Sequence, residues 1–405
     1  MMHFNASLHG LRGLAALSVL LFHWLGRFPY FADEVREVPA LGTEWDLLML
    51  PRMGWVGVDW FFLLSGYVLA GTVWHKRLAL GDILQFWKRR VLRIYPALWL
   101  QLATLLPLVV ALGYLPEVDW VRVIGNATLW MRPLGTGVAS YNNVYWSLVT
   151  EFSFYLLLPF LLILYRRVGP WPVLGLVATF HLLVVFGSAL PEPLGVVHSV
   201  VSDMSAYLPG MQIIFVLGML LHHVPMRLGP KAQERALWVA VAVYLLVLWW
   251  GHWVQDVLPR YHWSIDLWRI LLGPWIALVI WLLQSPVRGT HWLGAKPMVW
   301  LGELSYGIYL WHLPVLSFAD RWFPRSFNTP EGSLVILAVS LLATIALAAM
   351  SYYLVERPLL RRFSSVHRRQ VIGGAPPKPR QKTHPHHRPG SRSSNNSYGH
   401  QGRHA

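Results

Sequence analysis

Ten apolar runs, each of roughly twenty residues, constrain this chain more than any other feature. They fall near 11–30, 53–74, 94–115, 146–165, 171–190, 207–224, 236–253, 267–284, 298–320 and 333–354. A bilayer core about 30 Å thick takes about 20 helical residues to cross. Hydrocarbon offers no partner to an open backbone N–H or C=O, so only helices or a closed barrel can span it. Runs this long predict an all-α, polytopic membrane protein with about ten transmembrane helices. The fifth, sixth and ninth runs are the least regular, because Pro, Gly or polar residues interrupt them. Composition agrees: 55% of the 405 residues are hydrophobic and only 13% charged, against about 25% charged in soluble chains. Many of the 23 tryptophans sit near run ends, where an amphipathic ring favours the membrane boundary. The absence of cysteine excludes disulfides and thiolate metal sites.

Charge orients the spans. With the N-terminus placed in the cytoplasm and the runs alternating, 25 of the 34 Lys and Arg fall inside and 8 outside. Cytoplasmic loops collect such residues. Asp33, Glu34, Glu37, Glu44 and Asp46 crowd the first outside loop. Both termini are therefore predicted cytoplasmic. The net charge of +15 then reports membrane orientation, and no nucleic-acid partner is expected. The first run lacks a small-residue cleavage site and reads as a retained span. Residues 1–365 form the membrane domain. Residues 366–405, rich in Pro, Gly, Ser, His and Arg, are expected to be a disordered basic tail near anionic lipid, and no metal site is assigned to its histidines.

Several polar residues lie inside the apolar runs, where a titratable group needs repayment. Arg12 and His23 are eleven residues apart, so they share one helix face about 16 Å apart along the axis. Arg12 can snorkel to the interface. His23 lies deeper, either as a histidine satisfied by a neighbouring helix or as a functional group. Asp59 and Ser65 lie in GWVGVDWFFLLSGYVLAG, residues 54–71, whose glycines allow close helix approach. In FWKRRVLRIYP, residues 86–96, the cluster of Lys88, Arg89, Arg90 and Arg93 is either a topology anchor or a phosphate site, since guanidinium forks match phosphate oxygens. Arg89 and Arg93 share a face if helical. Glu151, near Trp146 and Ser147, is a carboxylate inside a span and is expected to pair with His23. Tyr306, Tyr309 and His312 recur every third residue and form one polar ridge, lining a cavity or bonding to neighbouring helices. Glu356 and Arg357 read as structural.

Taken in order, the Arg12–ten residues–His23 pattern, GVDWFFLLSGY, RRVLRIYP, WSLVTE, LGELSYGIYLWH and VERP resemble the acyltransferase 3 family of integral-membrane O-acyltransferases over about Leu8 to Arg362. The resemblance implies a ten-helix domain in the bacterial cytoplasmic membrane. Such a domain moves an acyl group, often acetyl, from cytoplasmic acyl-CoA to a hydroxyl of a sugar. The sugar belongs to a cell-surface polysaccharide, a glycolipid or a glycosylated metabolite. Acyl-CoA is then a co-substrate and no cofactor is resident. By motif match His23, Glu151 and Arg12 are the catalytic candidates and Arg89, Arg90 and Arg93 bind the donor. Asp59, Ser65, Trp146, Ser147, Tyr306 and His312 support them. Some members carry a fused extracytoplasmic esterase-like domain after the last helix. The tail here points to the opposite side, so a relay within one chain is not expected.

In the simplest scheme His23 is the general base, Glu151 orients it, and Tyr306 or a backbone N–H steadies the oxyanion. In the alternative His23 itself carries the acyl group. A transporter is the main rival, favoured by midplane charges and Gly/Pro interruptions, though no paired inverted halves are visible. A polyprenyl-linked glycosyltransferase is the second rival and lacks a clear acidic motif. A homo-oligomer stays open.

Overall fold

A computed structural model describes residues 5–35, 37–40, 43–112, 118–131, 138–188, 212–257 and 263–363. Its helices are α1 (Ala6–Arg27), α2 (Tyr30–Val35), α3 (Met49–Arg52), α4 (Gly57–Val73), α5 (Leu80–Ala111), α6 (Trp120–Thr128), α7 (Tyr145–Val168), α8 (Pro170–Ser188), α9 (Gln212–Leu221), α10 (Pro230–Val257), α11 (Trp263–Leu282), α12 (Lys296–Trp322) and α13 (Pro330–Ser351). Each of the ten apolar runs overlaps one of them in its described residues. By length and composition six are apolar enough to cross a membrane: Ala6–Arg27, Gly54–Val73, Leu80–Ala111, Tyr145–Val168, Pro230–Val254 and Pro330–Phe363. Shorter apolar stretches lie at Pro170–Leu183, Gln212–Leu221 and Trp268–Leu282. α12 has the length to cross, 27 residues, with several polar groups along it. The chain is thus an all-α multi-pass membrane protein. Between α2 and α3 lies a small antiparallel hairpin, β1 (Glu37–Ala40) and β2 (Thr43–Asp46), with Glu37 opposite Asp46. The tail expected at 366–405 lies outside the described residues.

Several helices present exposed apolar faces that suit lipid, α10 and α13 among them. On α10, Trp238, Val239, Leu246, Trp249, Trp250 and Trp253 are exposed, and on α13 Val335, Val339 and Leu342. In water such patches would drive aggregation. The inward faces carry the core and the polar groups.

At several helix ends and breaks a side chain answers a backbone group that hydrocarbon would leave without a partner. Asn5 caps α1 by accepting from the Leu8 N–H, and its amide donates to the carbonyls of Leu283 and Gln284. Arg166 at the end of α7 donates to the Lys76 and Trp74 carbonyls beyond α4. Prolines inside helices strip an N–H from the carbonyl four residues earlier. Pro159 does so to Tyr155 in α7, and the Trp87 indole donates to that oxygen at 3.0 Å. Pro314 does so to Leu310 in α12. There the Gln101 and Asn142 amides donate to the Leu310 oxygen, at 2.5 and 2.9 Å. Gln101 and Asn142 are themselves buried and joined, at 3.2 Å, and the Tyr145 hydroxyl donates to Gln101 at 2.8 Å.

Backbone contact at glycines locks α1 between α12 and α4. A Cβ on Gly302 would lie 2.0 Å from the His9 carbonyl oxygen, and one on Gly10 2.0 Å from that of Leu293. On the α4 side, a Cβ on Gly54 would lie 2.1 Å from the Ser18 oxygen. Gly13 meets Gly302 and His23 meets His312, so α1 and α12 run parallel. Gly57 meets Ala15 while Gly54 meets Ser18, so α4 runs antiparallel to α1. Alternating crossings demand both directions.

A charged pair is buried between α4 and α11. Arg269 donates to Asp59 at 2.7 Å, and its guanidinium lies 5.1 Å from the Trp55 ring centre. Asp59 is 1% exposed. Neither side chain could be kept there alone.

Gly302→Val should separate α1 from α12 and destabilise the protein by about 3 kcal/mol, the upper end for overpacking. Gly175 on α8 has nothing within 4 Å of an added Cβ, so Gly175→Ala should leave stability unchanged or raise it slightly. Melting of the detergent-solubilised proteins followed by size-exclusion chromatography would show the difference.

Candidate active site

α5 runs unbroken from Leu80 to Ala111, fourteen residues earlier than the apolar run that announced it. The basic cluster therefore lies on the helix. Its orientation differs from the expected one. Arg89 is exposed, whereas Arg90 and Arg93 turn into the protein. Spacing alone paired Arg89 with Arg93, but the bundle selects the face that meets α7 and the end of α13. The Arg90 guanidinium lies 5.7 Å from the Phe86 ring centre and 5.9 Å from that of Tyr155. Arg93 forms an ion pair with Glu356 at 3.1 Å and lies 5.7 Å from the Tyr306 ring centre. Glu356 is 2% exposed and also accepts from Ser351 at 3.2 Å. Arg93 is thus its ionic partner.

Arg12 does not snorkel to the interface. It turns inward, with Arg93, Glu151, Tyr155 and Arg90 within electrostatic reach. Among the described residues the buried Nε atoms of Arg12 and Arg90 have no hydrogen-bond partner. Glu151 enters the same cluster from α7. It accepts from the Ser65 hydroxyl of α4 at 2.7 Å and from the Tyr155 hydroxyl at 2.6 Å. Three guanidiniums, Arg12, Arg90 and Arg93, thus face two carboxylates, Glu151 and Glu356.

The expected pairing of His23 with Glu151 is not formed. Glu151 sits at the level of Arg12, while His23 lies eleven residues further along α1, beside α12. The direction of α7 causes this: its Ser147, one turn before Glu151, already meets Tyr309 of α12, with the hydroxyls 2.6 Å apart. The partner of His23 is His312, Nδ1 to Nε2, at 3.2 Å, with ring centres 5.0 Å apart. His23 Nδ1 also faces the Val19 carbonyl at 3.0 Å, and His312 Nδ1 faces that of Ile308 at 3.3 Å. His312 is fully buried.

The ridge on α12 bonds to its neighbours. The Tyr306 hydroxyl donates to the Ile94 carbonyl at 2.9 Å, so the oxyanion role considered for it is not open in this arrangement. The Tyr309 ring centre lies 5.7 Å from that of His312. Trp146 packs edge-on against Phe62, with centres 6.3 Å apart, and its carbonyl accepts from Thr150. Asp59 and its partner Arg269 join α4 to α11, apart from this column. The polar groups follow one another along α1 and α12: Arg12, Arg90 and Glu151 at the N-terminal end, then Tyr309 and Ser147, then His312 and His23. Sequence reasoning missed Gln101, Asn142 and Tyr145. One signal pointed to them: Pro314 leaves the Leu310 carbonyl in need of a donor.

Comparison with known proteins agrees with this architecture. The chain is 29% identical over 397 residues to the acyltransferase MdmB of Streptomyces mycarofaciens, a match covering 91% of the chain and 94% of that protein. It is 24% identical to the peptidoglycan O-acetyltransferase OatA of Listeria monocytogenes, over 87% of the chain and 55% of the relative. For the O-acetyltransferase OatA of Staphylococcus aureus the identity is again 24%, over 88% and 57%. The chain thus spans little more than half of either OatA. No solved structure matches it. The model of the acyltransferase 3 family, described as "Acyltransferase domain", matches residues 5–353. Over nearly its whole membrane region, therefore, the chain belongs to the acyltransferase 3 family and is a membrane O-acyltransferase.

Proposed function

We propose that the chain takes an acyl group, most simply acetyl, from cytoplasmic acyl-CoA. It transfers that group to a hydroxyl of a sugar-containing acceptor at the bacterial cytoplasmic membrane, with both termini in the cytoplasm. The acceptor class draws support from the relatives. One is named as acetylating peptidoglycan, a sugar polymer. The match to MdmB, named as an acyltransferase, runs almost end to end and supports the acyl transfer itself.

The observation that carries the chemistry is the state of the His23 ring. Both of its hydrogen-bond contacts run through Nδ1. Among the described residues Nε2 has no hydrogen-bond partner, as a general base requires. The acceptor hydroxyl gives its proton to Nε2 while its oxygen bonds to the thioester carbonyl carbon. The C–S bond breaks, and the departing CoA sulfur takes up the proton. The donor side is the Arg12–Arg90–Arg93 cluster. Three cations against two acids leave one positive charge to be balanced, and the unpartnered Nε atoms of Arg12 and Arg90 suit phosphate oxygens. Glu151 holds this cluster together through Ser65 and Tyr155. Its part is electrostatic and on the donor side.

The assay is label transfer from [14C]acetyl-CoA to base-labile ester in inside-out membrane vesicles of the source cell, which contain the native acceptor. His23→Ala should reduce transfer to background with normal folded yield; wild-type rates would remove His23 from the chemistry. Arg90→Gln should raise the KM for acetyl-CoA about tenfold, the value of a charge-assisted hydrogen bond. The exposed Arg89→Gln should change it less than twofold, and equal effects would make the cluster a topology anchor.

The absence of native cysteine allows a direct test of orientation. Leu80 is 70% exposed and Leu47 58%. In inside-out vesicles a membrane-impermeant maleimide should label Leu80→Cys and spare Leu47→Cys, and the reverse pattern would invert the orientation.

A further inference from the structure

We infer that His312 is a positioning residue: together with the Val19 carbonyl it holds the hydrogen of His23 on Nδ1, and from a second helix it orients the ring so that Nε2 is presented as the base. The inference rests on the reading of His23 as general base.

The hydrogen-bond roles follow from what each group can do. His312 Nδ1 faces the Ile308 carbonyl at 3.3 Å. A carbonyl only accepts, so this nitrogen carries the hydrogen. In a neutral imidazole the other nitrogen, His312 Nε2, is then an acceptor. It faces His23 Nδ1 at 3.2 Å. The second neighbour of that Nδ1, the Val19 carbonyl at 3.0 Å, is also an acceptor. Placed between two acceptors, His23 Nδ1 is a donor, and the lone pair of the ring resides on Nε2. The assignment comes from this network of partners.

The two acceptors are not equivalent. Val19 lies four residues before His23 on α1, so its carbonyl already takes the backbone N–H of the helix turn. It moves with α1 and cannot orient the ring relative to the rest of the protein. His312 belongs to another helix and is fully buried. Its own turn is fastened from three sides. Gln101 of α5 and Asn142 before α7 hold the Leu310 carbonyl that Pro314 leaves open. Ser147 of α7 holds Tyr309. When Nε2 of His23 takes the acceptor's proton, the Nδ1–H bond to His312 becomes charge-assisted and strengthens. That is an interaction gained as the reaction proceeds, which favours turnover over donor binding.

Three variants in the vesicle assay test this. His312→Gln sets an amide oxygen near the place of Nε2 and keeps an acceptor for His23. His312→Asn sets its amide near Nδ1, out of reach, and His312→Leu has no acceptor. The expected result is a maximal rate about 100-fold lower for H312L and H312N, the scale of general-base contributions. Their KM for acetyl-CoA should stay within about twofold of wild type. H312Q should recover to within about tenfold of the wild-type rate. Wild-type rates in H312L or H312N, losses expressed in KM, or an H312Q as inactive as H312N with normal folded yield would each overturn the inference. If H312L fails to fold, the contrast of H312Q with H312N decides. An active His23→Ala chain would overturn the base assignment itself, a separate result from failure of the His312 contrast.

Discussion

Backbone-to-backbone contact of α1 with α12 is the constraint on which the rest depends. Within a bilayer, association between helices gains little from the hydrophobic effect, because lipid tails are as apolar as leucine. Packing must do the holding, and small residues let it. Gly10 and Gly302 admit the carbonyls of Leu293 and His9 where any Cβ would collide. Because the two helices run parallel at that spacing, residues eleven positions past Arg12 and ten past Gly302 arrive at the same height. Those residues are His23 and His312. The imidazole pair is a consequence of glycine packing two and a half turns or more below it.

A second consequence of the apolar solvent is that each polar group creates a demand. Pro159 and Pro314 each strand a carbonyl, and a side chain from another helix answers: Trp87 in one case, Gln101 with Asn142 in the other. Asp59 is answered by Arg269 and Glu356 by Arg93. Some polar groups keep an atom without such an answer. Among the described residues Arg12 and Arg90 keep buried Nε atoms without hydrogen-bond partners, and His23 makes its hydrogen-bond contacts through Nδ1. Near one end the cluster suits an anionic donor, and eleven residues on it suits proton transfer.

Much of this was legible in the residues. The ten apolar runs marked the helices because length and apolarity are properties of a segment by itself. The titratable groups within them, Arg12, His23, Asp59, Glu151 and His312, stood out because hydrocarbon penalises them wherever they are. Their partners were another matter. Glu151 and His23 were natural mates by chemistry, yet α7 brings Glu151 to Ser65, Tyr155 and Arg12 instead. Arg89 and Arg93 shared a face by spacing, yet it is Arg90 and Arg93 that turn inward.

From the sequence alone came the solvent the chain folds in, the approximate place of its long apolar helices, and the set of groups that hydrocarbon would not tolerate unpaired. These follow from local composition and from the fixed geometry of one helix. Only the tertiary structure decided which group meets which. Pairing depends on the rotation and axial shift of one helix against another: α7 sets Glu151 at the level of Arg12, about 16 Å along α1 from His23, and no single segment carries that placement.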